Sequence, residues 1–198
     1  MGCFTKKELE YISDTDFLLT KAIVTQKIKD ILAEVEQGIK NQIGTFQIPS
    51  EVLTKSGKIS KGENYQGLPY LILDYPRKFN TEEVFAFRTM FWWGQCFSAT
   101  LHLGGKYWEE YRAQVILRQK LLTSKGWYIC VNQSPWEYHY NLENYRFFDS
   151  IKEEDQLALL QSHPFLKLSR KWDLECYAKF PSEAIETFIE VIKLIDLT

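Results

Sequence analysis

The run FAFRTMFWWGQCFSATLHL, residues 85–103, constrains the fold more than any other part of the sequence. Six of its nineteen residues are aromatic, and none is acidic. Side chains alternate between the two faces of a β-strand. Over 84–103 the odd-numbered residues are nearly all apolar, whereas the even-numbered ones are mixed. The pattern predicts strands with one face in a core and a second face that carries polar and aromatic groups.

The two halves of this run, 84–91 and 96–103, are predicted to form a hairpin that turns at Gly94. A loop with an odd number of residues keeps apolar side chains together, and a slip of one residue would mix them with polar ones. The predicted pairs are Phe91 with Phe97, Phe87 with Leu101 and Arg88 with Thr100. A preceding strand, 70–75, fits the same scheme when Asp74 lies opposite Arg88.

Periodicity along the rest of the chain predicts four helices and three further strands. Residues 13–43 have an apolar stripe of 3.6-residue period after the N-cap candidates Ser13 and Asp14. The other predicted elements are a connection at 43–67, a helix at about 106–122, a hairpin of 126–132 with 136–141, a helix from a Ser150–Glu153 capping box to His163-Pro164, a strand at 172–180 and a final helix capped by Ser182.

The order of these elements is α-βββ-α-ββ-α-β-α. Strands joined by short turns, with helices between the groups, are typical of an α+β protein. We therefore expect an antiparallel sheet packed against a long N-terminal helix and a C-terminal helix. At 198 residues, with no composition shift that marks a boundary, the chain is expected to be one domain, 1–198. Residues 1–12 are expected to be flexible or loosely packed.

Composition limits the classes of partner. The 24 basic and 26 acidic residues give a net charge of −2, so no nucleic-acid partner is expected. The most apolar stretch is interrupted by Arg88, Gln95 and His102, which argues against a membrane span. The four cysteines are far apart and follow no secretory signal, which favours reduced thiols and a cytoplasmic location.

The second face of the predicted sheet is the candidate site. Aromatic walls with a few converging polar groups are typical of small-molecule pockets. Arg88 could bind a carboxylate or phosphate that Asp74 orients, and His102 could act as a general base. The candidate catalytic residues are His102 and Asp74, and the candidate ligand-binding residues are Arg88, Tyr70, Trp92, Ser98 and Thr100.

Three interpretations stay open from the sequence. The first is a binding or interaction module that holds a small anionic or amphipathic ligand on this face. The second is an enzyme that uses His102 with Arg88 or Asp74 for acid–base chemistry, and the third is an interaction subunit whose exposed aromatic side chains form a dimer surface. Against all three stands a structural interpretation, in which helices cover this face and Asp74–Arg88 is a partly buried pair. We predict no cofactor and no metal site, because Glu137, His139 and His102 follow no known ligand spacing. A homodimer remains open.

Overall fold

The computed structural model describes residues 2–123 and 125–196, and it has a seven-stranded antiparallel sheet with six α-helices. The helices are α1 (Lys6–Ser13), α2 (Thr15–Ile43), α3 (Ser50–Leu53), α4 (Lys106–Leu117), α5 (Glu153–Ser162) and α6 (Phe180–Ile195). The strands are β1 (Lys58–Tyr65), β2 (Leu68–Phe79), β3 (Val84–Trp92), β4 (Cys96–Gly104), β5 (Tyr128–Cys130), β6 (Tyr145–Phe147) and β7 (Phe165–Trp172). The sheet order is β1-β2-β3-β4-β7-β5-β6. The α+β class with long N- and C-terminal helices is therefore confirmed.

The predicted register of the central strands is also confirmed. Phe91 pairs with Phe97, and Arg88 pairs with Thr100 across β3 and β4. Trp93, Gly94 and Gln95 form the turn, and Gly94 has a φ of 68°, a left-handed conformation that glycine adopts without strain. In β2, Asp74 lies opposite Arg88 as predicted, and a register shift follows before Arg77.

The main core lies between one face of the sheet, here called the first face, and the helices α2, α4 and α6. The first face carries the odd-numbered side chains of β3 and β4, among them Phe85, Phe87, Phe97 and Leu101. Helix α2 buries Ile28, Leu32, Val35, Ile39 and Ile43, which are five of the six residues of its predicted stripe. Its N-cap is Asp14, whose carboxylate accepts a hydrogen bond from the amide of Phe17.

Several element predictions were wrong. The predicted connection 43–67 contains α3 and the polar strand β1, which adds one strand to the predicted order. Residues 174–178 of the predicted strand 172–180 form a 3₁₀ helix, and the true strand is β7 at 165–172. Ser150 does not cap α5, since its hydroxyl donates to the carbonyl of Phe147, and α6 begins at Phe180, before Ser182.

Of the second predicted hairpin, the first strand is present and the second is not. Strand β5 lies within 126–132, but it pairs with β6 at Tyr145–Phe147 instead of with 136–141. Residues 131–144 lack regular secondary structure. The alternation of Trp136, Tyr138 and Tyr140 resembles a strand, yet the amides of Tyr138 and His139 donate to the side-chain hydroxyl of Tyr65 instead of to a neighbouring strand.

The register predicts a large energetic role for Phe87. Its side chain is 1% exposed in the core, so Phe87→Ala should lower the free energy of unfolding by about 3–5 kcal/mol, through lost burial and the cavity left behind. Denaturant titration measures this loss. Leu142→Ala, at a residue that is 77% exposed, is the control and should change stability by less than about 0.5 kcal/mol. Similar values for both variants would contradict the packing described.

Candidate functional site

All seven candidate residues lie on the second face of the sheet, opposite the main core. They come from β2 (Tyr70, Asp74), β3 (Arg88, Trp92) and β4 (Ser98, Thr100, His102). Asp74, Trp92, Ser98, Thr100 and His102 are buried, whereas Tyr70 and Arg88 are half-buried. The structure thus brings the residues together on one surface, and their binding or catalytic roles stay predictions.

The second face is covered by residues 131–144, here called the cover segment. The Tyr138 side chain is buried against Met90 and Trp92 of β3. The indole of Trp136 is half exposed, and its ring centre lies 5.6 Å from that of His102. The sequence left open whether this face is exposed or covered. In this structure it is covered, by an irregular segment of the chain and not by a helix.

Arg88 and Asp74 form a bidentate ion pair on this face. The guanidinium Nε lies 2.7 Å from Oδ1 of Asp74, and Nη2 lies 2.9 Å from Oδ2. The Cζ of Arg88 is 4.8 Å from the ring centre of Tyr138, within the range of a cation–π contact. Both carboxylate oxygens accept from Arg88, so Asp74 fixes the orientation of the guanidinium. The contact with Tyr138 then links Arg88 to the cover segment.

Lys167, the most buried charged residue of the second face, was not among the residues predicted from the sequence. It lies on β7 opposite His102 and has no exposed surface. Its Nζ donates to the backbone carbonyls of Pro135, at 2.8 Å, and Glu137, at 2.6 Å. The pKa of Lys167 is lowered to about 7, mainly by burial and also by nearby Arg88, against the opposing effects of Cys130 and Glu137. The sequence does carry a signal for this strand. FLKLSRKW (165–172) alternates, with Lys167 and Ser169 on one face and Leu166 and Leu168 on the other.

His102 is also unusual, because its imidazole is buried beside two cationic side chains. Burial lowers the pKa of its imidazole to about 3, and the positive charges of Lys167 and Arg88 act in the same direction. The ring is therefore neutral at pH 7. Its Nδ1 is buried and has no hydrogen-bond partner among the residues that the structure describes. A buried polar atom of this kind is uncommon in native proteins and calls for an explanation.

The cover segment is fastened at several points besides Lys167. The hydroxyl of Tyr65 accepts from the amides of Tyr138, at 2.6 Å, and His139, at 3.1 Å, and lies 2.9 Å from Oε2 of Glu137. Burial, with the nearby Glu137 carboxylate, raises the pKa of Tyr65 to about 12 and keeps this hydroxyl protonated. The buried Asn144 donates to the carbonyl of His139 at 2.6 Å.

The polar groups of β4 and β7 join this network. The hydroxyls of Thr100 and Ser169 lie 2.7 Å apart, and Tyr140 of the cover segment is hydrogen-bonded to Ser169. Ser169 also donates to the carbonyl of Ala99 at 3.2 Å. These bonds make Thr100 part of the support for the cover segment, and a ligand would reach it after Tyr140 had moved.

Within 2–123 and 125–196, no group of three or more His, Cys, Asp or Glu side chains could hold a metal ion. Glu137 and His139 lie together, with Nδ1 3.4 Å from Oε2, and both contact Tyr65. No helix in the same ranges is both long and apolar enough to cross a bilayer. Two surface cavities, of about 610 and 520 Å³, are lined by residues of 117–123, 149–156 and 193–196, away from the second face.

Removing one member of the buried ion pair should be costly. We expect Arg88→Met to lower the free energy of unfolding by about 3–5 kcal/mol, because Asp74 is left buried without its partner. Chemical denaturation provides the measurement. The solvent-exposed pair Lys6–Glu10 is the control, and Lys6→Met should have an effect below about 1 kcal/mol. A near-neutral Arg88→Met would show that the second face opens readily to water.

Lys167 should make stability depend on pH in a defined direction. Its pKa is about 7 in the folded chain and near the ordinary 10.5 when unfolded, so between these values the unfolded state binds more protons. Stability from this group therefore rises with pH above 7, by up to about 1.4 kcal/mol per pH unit. Denaturant titrations at pH 7, 8 and 9 should show this rise in the wild type relative to Lys167→Met. Parallel pH profiles would contradict a depressed pKa.

The chain was also compared with known proteins. No model of a protein family, no curated protein and no solved structure matches it.

Proposed function

We propose that this protein is a small-molecule-binding module that holds a small anion, such as a carboxylate or phosphate, between the second face and the cover segment. The observation that carries the proposal is a pair of cationic side chains on the same surface, the half-buried Arg88 and the fully buried Lys167. Asp74 balances Arg88, whereas the Nζ of Lys167 contacts two backbone carbonyls and, among the residues that the structure describes, no carboxylate oxygen.

Stability alone does not account for this arrangement. Taking a charge out of water costs several kcal/mol, and apolar side chains of similar size often replace buried ions without loss of stability. Proteins tolerate such groups where they serve binding or catalysis. The unpartnered Nδ1 of His102, opposite Lys167 in the sheet, is a further polar group that folding leaves unused.

The cover segment provides a route for a ligand. Residues 135–138 have no strand or helix to hold them, and Trp136 is already half exposed. If this part moved outward, Lys167 would lose its two carbonyl acceptors and its ammonium group would be free to bind an anion. Trp92 and Tyr138 would line the apolar part of the site, which suits a ligand with both anionic and apolar portions.

The alternative is an enzyme that uses His102 with Arg88 or Asp74 in acid–base chemistry on a small anionic substrate. The neutral imidazole with a free Nδ1 favours this idea. Two observations weaken it, since a pKa of about 3 makes His102 a poor base at neutral pH and Asp74 already accepts two bonds from Arg88. Binding is therefore the better-supported function.

Thermal unfolding with a panel of small carboxylates and inorganic phosphate tests the proposal. At ten times its dissociation constant, a bound anion should raise the Tm by about 3–6 °C. Lys167→Met should abolish the increase, because it removes the charge and keeps the length of the side chain. Chloride at equal ionic strength is the salt control.

Arg170→Met is the matched variant. Arg170 is also half-buried, pairs with Glu190 at 2.8 Å and lies 4.2 Å from the ring centre of Trp127, but it is not on the second face. This variant should keep the increase in Tm. The absence of a shift with every anion, or an equal shift in both variants, would show that the proposal is wrong.

A further inference from the structure

The N-terminal part of the chain has an apolar surface that its own fold does not cover. Residues 4–27, here called the arm, comprise α1 and the first half of α2. Helix α1 has no buried residue, and the buried stripe of α2 starts only at Ile28. Eight large apolar residues of the arm are each about half exposed or more: Phe4, Leu9, Tyr11, Ile12, Phe17, Leu18, Leu19 and Ile23.

Four of the exposed residues in α2 form a second apolar stripe. Leu18, Leu19, Ala22 and Ile23 follow the i, i+3, i+4 spacing of one helix face. Successive residues turn by about 100°, so Leu19 lies about 180° from Ile28 around the helix axis. The second stripe therefore faces away from the sheet that buries the first one.

The exposed area is large enough for a stable interface. Together the eight half-exposed side chains of the arm present on the order of 800 Å², which is the area that each partner contributes to a standard protein interface. Phe17 lies about 160° from Leu19 around α2, so the second stripe accounts for only part of this area. Unless a partner covers it, a surface of this size promotes aggregation.

The charges of the arm indicate which partner fits. Four lysines and four carboxylates balance each other: Lys6, Lys7, Lys21 and Lys27 against Glu8, Glu10, Asp14 and Asp16. An anionic membrane surface selects amphipathic helices with excess positive charge. A neutral arm with both signs is instead suited to a surface of the same composition.

We propose that the arm pairs antiparallel with the arm of a second copy of this chain. Asp16 and Lys27 are eleven residues apart, so they lie within about 20° of each other around the helix, on one flank of the second stripe. Both are exposed, and neither forms an ion pair or hydrogen bond with another described residue.

A two-fold axis satisfies the apolar and the charged groups together. With the axis between Thr20 and Lys21, Leu18 faces Ile23 of the second copy. In this register Asp16 lies opposite residue 25 of the second copy, two residues and about 3 Å along the helix from Lys27. Each Asp16 then lies close to Lys27 of the second copy, and the ion pair occurs twice. This proposal is independent of the anion site on the second face.

Sedimentation velocity of the full chain over a range of concentrations tests the proposal. We expect a dimer in the wild type. Leu19→Glu combined with Ile23→Glu should weaken association at least tenfold, because it places charge in the apolar stripe. Both residues are more than half exposed, so the circular dichroism spectrum and Tm should be retained. Leu117→Glu, at a residue that is 77% exposed outside the arm, is the matched control and should still form the dimer.

Charge reversal distinguishes the antiparallel pair from other associations. Asp16→Lys and Lys27→Asp should each dimerise more weakly alone, since each places like charges opposite one another. Mixed together, the two variants should form a heterodimer, and the double variant in one chain should recover the dimer. Three outcomes would overturn the proposal. The wild type could stay monomeric over the whole concentration range, or it could bind vesicles of phosphatidylcholine and phosphatidylserine in place of dimerising. The third outcome is a dimer that the stripe variants leave unchanged.

Discussion

The fold depends on how the two faces of a wide sheet are covered. Helices α2, α4 and α6 bury the first face in one continuous apolar core. The central strands are buried on the second face too, and there the covering element is the irregular cover segment. An irregular segment cannot satisfy its own backbone groups as a helix does, so it needs polar partners beneath it. Tyr65 and Lys167 supply those partners, and Asn144 adds a bond within the segment.

This requirement explains why the second face is polar as well as aromatic. Lys167 donates to two carbonyls of the cover segment, and Arg88 packs against the ring of Tyr138. The same two positive charges lower the pKa of the His102 imidazole. Three titratable groups are therefore coupled to the position of the cover segment. A change in charge at Lys167 alters the two hydrogen bonds that hold the cover segment. In the proposed anion site, the groups that close the face are therefore the same ones that would contact the anion.

The sequence was most informative where one face of a strand is wholly apolar. The alternation of odd- and even-numbered residues over 84–103 predicted that Arg88 pairs with Thr100, and the matching alternation in 70–75 predicted that Asp74 pairs with Arg88. No strand was predicted at β7, which is buried on both faces and places the polar Lys167 and Ser169 in the interior. The alternation failed at 136–141, where alternating tyrosines contact a sheet face without belonging to a sheet. The seven candidate residues on β2–β4 do share one face, as the alternation predicted. Their burial depends on the cover segment, a long-range contact without a local pattern in the sequence.

The chain departs from ordinary burial in two opposite ways. It places charged and polar groups under the cover segment, and it leaves eight large apolar side chains of the arm in solvent. The exposed apolar side chains of the arm do not follow from folding, since polar ones would serve a monomer better. Under the cover segment, folding requires hydrogen-bond donors to the backbone carbonyls, but it does not require that a donor carry a charge. Local rules of sequence and structure tend to fail at sites that serve another purpose. The two departures lie on different elements, the central sheet face and the N-terminal helices. The proposed binding of a small anion and the proposed pairing of two chains can therefore be tested by separate mutations, and one proposal can fail without the other.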